Sequence, residues 1–138
     1  MCVVRQEVSV VRTKPGLFYI PTRDIDAAIA WYGEVLGIAF EPKFACGDDM
    51  WMAEHHFADQ PAPRPFLGLI QGPDVRPGET TVPVLGINVD DMDALRARLD
   101  EKGIAIVHSD EGGGARWMRF HDGDGNLLEA NWWEWDHL

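Results

Sequence analysis

Arg119 and Glu129 fall in two short strand-like runs, Ala115–His121 and Leu127–Trp133, with a tight turn between them. Neighbouring strands of that kind bring a guanidinium and a carboxylate within pairing distance. Such a pair either neutralises a half-buried acid or recognises a polar ligand. His121 closes the first run: its ordinary role is that of a half-exposed strand end, but an imidazole also suits acid–base work. If Glu129 marks one face of its strand, Leu127, Asn131 and Trp133 share that face, and Leu128, Ala130 and Trp132 take the other. His55 and His56 are adjacent, so on a strand they face opposite ways and cannot jointly hold one ion.

Other groups fail on spacing. Cys2 and Cys46 make no disulfide framework, no Cys/His set stands at zinc spacing, and no GxSxG elbow supports covalent catalysis. Gly112-Gly113-Gly114 leads into a strand and not into a helix N-terminus, which makes it a hairpin loop and not an anion cradle. Asp122-Gly123-Asp124-Gly125-Asn126 begins like a calcium loop, but Leu127 stands where the loop needs Gly and Trp133 where it needs Glu. It is a turn.

The elements that must position these residues occur twice. Leu17–Thr22 reads as a strand, with Pro21 suited to an edge or bulge. Asp24 then caps a helix whose Ile25, Ala28, Ile29, Tyr32, Val35 and Leu36 recur at three- and four-residue steps, and Gly37 stops it. Strands are expected at 38–42, 50–57 and 65–71, with a Pro/Gly-rich linker after them. The order then recurs as a strand at 84–89, a helix capped by Asp91 and ended by Gly103, and strands at 104–108, 115–121 and 127–133. Residues repeat as well: Asp24-Ile25-Asp26-Ala27 with Gly37-Ile38-Ala39 is answered by Asp91-Met92-Asp93-Ala94 with Gly103-Ile104-Ala105. A period of about 65 residues is too long for a solenoid, so two copies of βαβββ point to a duplicated α+β module. Residues 1–16 read as an extension with a strand near 3–12, followed by one domain over 17–138: module one 17–71, linker 72–82 and module two 83–135.

Composition limits the partners. The 138 residues carry a net charge of −11, which argues against binding a phosphate backbone, where Lys and Arg must replace counterions. No stretch approaches the roughly 20 apolar residues of a membrane span, and charges interrupt the N-terminal segment where a secretory signal would be. The expectation is a cytoplasmic protein with neither nucleic-acid nor membrane partners.

The run Asp24-Ile25-Asp26-Ala27-Ala28-Ile29-Ala30-Trp31-Tyr32-Gly33-Glu34-Val35-Leu36-Gly37 resembles the first-module helix of the vicinal oxygen chelate superfamily. That superfamily includes glyoxalases, bleomycin and fosfomycin resistance proteins and extradiol dioxygenases. Residues Gly113 to Glu129, with Arg119-Phe120-His121-Asp122-Gly123-Asp124-Gly125-Asn126 at their centre, resemble its closing hairpin. The likeness implies two βαβββ modules forming a curved mixed sheet around a cleft, commonly in a homodimer. It also implies one divalent metal held at four positions, which in this chain are Leu17, Gly68, Val84 and Glu129. Only the last is a donor, and one carboxylate cannot replace four ligands.

By the same resemblance Trp117, Arg119 and His121 point into the cleft, with Tyr19 on the first strand and Phe18 packed behind it. The expected ligand-binding set is Tyr19, Trp51, Trp117, Arg119, Glu129, Asn131 and Trp133, with Glu129 and His121 as candidate catalytic groups and no metal. The function expected is that of a glyoxalase/bleomycin-resistance-like, metal-free binder of a small, partly apolar molecule. The alternatives are a metal-dependent lyase, isomerase or dioxygenase with relocated ligands, drawn from His55, His56, His121 and Glu54 or from a partner chain, and a metal-free enzyme using Glu129 or His121 as base.

Overall fold

The fold was obtained as a computed structural model that describes Val11 and residues 17–57, 66–79 and 81–134. The strand expected near 3–12 lies, Val11 apart, outside the described residues, as does Trp135. Eight strands and two helices follow the order β1 Leu17–Pro21, α1 Ile25–Leu36, β2 Phe44–Gly47, β3 Met50–His56, β4 Phe66–Gln71, β5 Leu85–Asn88, α2 Met92–Glu101, β6 Ile106–Gly112, β7 Ala115–His121 and β8 Leu127–Trp133. They make two four-stranded mixed sheets, β1-β4-β3-β2 and β5-β8-β7-β6. The first strand of each sheet runs parallel to the last strand of its module, as a βα crossover requires. This is the α+β fold of two βαβββ modules that the sequence implies.

Local chemistry sets the helices. The Asp24 carboxylate accepts from Ala27 N at 3.1 Å and the Asp91 carboxylate from Ala94 N at 2.9 Å, satisfying one free amide in each first turn. Gly37 ends α1 at φ 68°, and the amides of Gly37 and Ile38 return to the carbonyls of Gly33 and Tyr32. Arg98 of α2 donates to Val35 O, covering another exposed carbonyl at the end of α1 and linking the helices. Ile25, Ala28, Tyr32 and Val35 of α1 and Met92, Leu95 and Leu99 of α2 pack on one face of the sheets, against Leu67, Leu69, Phe120 and Leu128. The alternate strand residues face outward.

Three expectations need correction. The strand expected at 38–42 is displaced to Phe44–Gly47, because Ile38 and Phe40 turn back onto the core and do not enter a ladder. The strand expected at 104–108 begins at Ile106 and continues to Gly112. Phe18 does share the helix-side face with Leu67, but it is 49% exposed and not packed there, since β1 is the edge of its sheet and leaves the strand's start uncovered.

The modules are joined through the turn that precedes β8. The Asp122 carboxylate accepts four hydrogen bonds: from Tyr32 OH at 2.6 Å, and from Asp124 N, Asn126 N and Asn126 Nδ2, each at 2.9 Å. Asn126 Nδ2 also donates to Pro21 O, and Thr22 Oγ1 donates to Asp124 Oδ2 at 2.6 Å. Burial pushes the Tyr32 phenol far above its ordinary range, and the negative charge and hydrogen bond of Asp122 push it further. The unfolded phenol ionises near about 10, so the stability gained from neutral Tyr32 is complete below that pH and is lost as pH rises beyond it. Unfolding free energy should therefore fall more steeply between about pH 9 and about pH 11 in the wild type than in Tyr32→Phe. Parallel slopes in denaturant titrations would contradict this.

Candidate functional site

Register brings the sequence's candidates on β7 and β8 onto one patch. Arg119 pairs across the ladder with Glu129, and Trp117 with Asn131, while Trp133 follows on the same face of β8. Met118, Phe120, Leu128 and Ala130 alternate with them and are fully buried under the helices. The outward face thus carries half-buried Trp117, Arg119, Glu129, Asn131 and Trp133 together.

Glu129 is the centre of this patch. Arg119 Nε donates to its Oε1 at 3.0 Å and Asn131 Nδ2 to its Oε2 at 3.3 Å, so both carboxylate oxygens are engaged. The side chains of Arg119 and Glu129 are 38% and 24% exposed, which places the ion pair at the margin of solvent. On the parallel neighbour β5, Gly86 stands opposite Glu129, where a Cβ would come within 3.7 Å of Asn131 Nδ2.

Two residues on this sheet escaped the sequence reading. His108 lies opposite Arg119 and Asp110 opposite Trp117, both on β6. A register shift between Ile106 and His108 makes Val107 the extra residue of a bulge, and that shift turns His108 outward. The charged run His108-Ser109-Asp110-Glu111 was the available signal, but an edge strand carries charges for its own protection too.

The remaining candidates lie beyond this cluster, His121 at the end of the same face and Tyr19 and Trp51 on the first sheet. His121 is an exposed strand end on the outward face, opposite Leu127. Tyr19, 52% exposed, lies on the outward face of the first sheet, opposite Gly68. Trp51 is a correction: it shares its face with buried Ala53, on the helix side of β3, and does not join the outward patch. Lys43 Nζ sits 4.9 Å from its ring centroid and pairs with Asp26 of α1 at 2.8 Å, which holds Trp51 against that side.

The family resemblance assigns a metal to four positions, Leu17, Gly68, Val84 and Glu129. Leu17, Gly68 and Val84 supply no oxygen or nitrogen side-chain donor. A Cβ built on Gly68 would meet Met52 Cε at 2.8 Å and Leu17 Cδ1 at 3.0 Å, so hydrocarbon already occupies the space a ligand side chain would need. This residue set does not fit a divalent ion held as that resemblance implies. His55 and His56 do face opposite ways: His55 Nδ1 contacts Ala39 O at 2.7 Å, while His56 Nε2 meets Glu54 Oε2 at 2.9 Å and its ring stacks on Phe66. Among the described residues, no group of three or more His, Cys, Asp and Glu is placed to hold a metal ion, and no helix is long and apolar enough to cross a membrane.

Known proteins share this architecture. TnmS3, an antibiotic binding protein from Streptomyces sp. CB03234, superposes with a TM-score of 0.70 at 26% identity, covering 90% of this chain and 98% of its own. A glyoxalase/bleomycin resistance protein from the same organism gives 0.65 at 27% identity, over 86% of this chain and 99% of that one. A member of the glyoxalase/bleomycin resistance protein/dioxygenase superfamily from Sphaerobacter thermophilus DSM 20745 gives 0.69 at 19% identity, over 88% and 98%, and shows the fold alone. No curated protein sequence matches the chain. The family model of the glyoxalase/bleomycin resistance protein/dioxygenase superfamily matches residues 13–130, and with the paired βαβββ sheets this makes the chain a member of that superfamily.

Proposed function

We propose that the chain is a metal-free binder of a small, partly apolar organic molecule, held on the outward face of the second sheet, and that it works as a homodimer. The observation that carries this reading is the patch itself: Trp117 and Trp133 lie together on one side of a polar centre in which both Glu129 oxygens already have donors. Aromatic surface with a few fixed polar groups is the usual constitution of a small-ligand site. A carboxylate engaged by a guanidinium and an amide is a poor free base and a poor lone metal ligand. The likeness to TnmS3, an antibiotic binding protein, supports a small-molecule ligand. Tyr19 and Phe44 leave large apolar side chains exposed on the first sheet's outward face, which favours its being covered by a second copy.

A second reading, a superfamily enzyme with relocated metal ligands, draws on the Glu54 and His56 pair of the first sheet. It needs further donors from a partner subunit. Protein purified without chelator separates the two. We expect elemental analysis to find far less than one Zn, Ni, Mn or Fe per chain, and intrinsic tryptophan fluorescence to be quenched by small aromatic ligands whether or not EDTA is present. A stoichiometric ion whose removal abolishes binding would overturn the proposal.

A further inference from the structure

We propose that Arg119 orients the ligand and that the ligand is a planar aromatic molecule bearing a hydrogen-bond-accepting oxygen, an inference that rests on the binding reading above. The guanidinium is anchored by one of its three nitrogens: Nε donates to Glu129 Oε1 at 3.0 Å. Among the described residues Nη1 and Nη2 have no partner, so the terminal N–H groups remain available on a side chain already held in place. Anchoring removes much of the rotamer entropy that a free arginine loses on binding, and the planar fork suits an sp² oxygen.

The neighbours reinforce the choice of an acceptor. Each Glu129 oxygen already accepts one hydrogen bond, from Arg119 and from Asn131, and the ion pair offsets its charge, so a cationic ligand gains little there and meets the guanidinium as well. His108 on β6 flanks Arg119 from the other side and adds no acid, while Asp110, the nearest acid on that strand, stands opposite Trp117. Trp117 lies two residues before Arg119 on the same face, roughly 7 Å along the strand. A ring of naphthalene size resting on Trp117 therefore brings a substituent oxygen to the Nη groups. One surface selects the ring and the other its oxygen.

The shared chemistry fits a neutral aryl carbonyl or an aryl carboxylate, and three probes of equal ring size distinguish them: 2-acetonaphthone, 2-naphthoate and 2-ethylnaphthalene. Titrations followed by tryptophan quenching, together with the side-chain ¹⁵N resonances of Arg119, provide the readout. We expect one oxygen-bearing probe to bind at least about tenfold tighter than the hydrocarbon, with movement of the Nη signals. The stronger of the two identifies the oxygen as neutral or anionic. Arg119→Gln with Glu129→Gln, a double substitution that leaves no lone charge, should reduce that preference to about the level of the hydrocarbon. Equal binding of all three probes to the wild type, or a preference that survives the double substitution, would overturn the role of Arg119 and leave the binding reading intact. Absence of binding by any of the three would overturn both.

Discussion

Asp122→Ala is expected to cost about 4 kcal/mol, a large share of the roughly 5–15 kcal/mol that stabilises a domain of ordinary stability. The substitution removes four hydrogen bonds at once and strands Tyr32 OH and one N–H of Asn126 Nδ2, whose other N–H keeps Pro21 O, in residues 1% and 0% exposed. A buried donor without a partner costs its full desolvation, whereas the aspartate was satisfied on both oxygens. The effect also crosses the module boundary, since Asn126 holds Pro21 O and Tyr32 belongs to α1. Thermal melting should fall by about 15 °C. Asp122→Asn should recover little, because whichever way its amide turns, one of its N–H groups faces donors that the carboxylate accepted from. Melting within a few degrees of the wild type would mean that the turn does not tie the modules together.

Trp117→Ala should weaken the tightest-binding aromatic probe about thirtyfold, a loss of roughly 2 kcal/mol, since an aromatic anchor on an open sheet face supplies most of the apolar contact there. Trp51→Ala is the matched control: that ring lies on the helix side under Lys43, so affinity should stay within about twofold although stability falls. Fluorescence and calorimetric titration of both variants decide the matter. Equal losses from the two substitutions would place the ligand somewhere other than the outward face of the second sheet.

The contrast between these tryptophans shows where sequence reading stops. On β7 and β8 the alternation around Glu129 identified the shared face, because a strand with one buried side repeats every second residue. Trp51 lay in β3, Met50–His56, within the run 50–57 that the sequence identified as a strand, but with no marker of which parity faced the helices. Its neighbour Met52 is apolar and nearly buried on the opposite face, over Gly68, so both faces of β3 look hydrophobic and the pattern carries no direction.

What the sequence determined by itself is local or subtractive. Asp24, Gly37 and Asp91 mark helix ends because their short-range chemistry acts within three residues, and Leu17, Gly68 and Val84 lack donor atoms in any conformation. The tertiary structure decided what depends on pairing between distant segments: the bulge at Val107 that turns His108 toward Arg119, the engagement of both Glu129 oxygens, and the bond from Tyr32 to Asp122 across the modules. Register and contact between segments are set by how whole strands and helices pack. Spacing along one chain fixes which residues share a face, but not what that face meets.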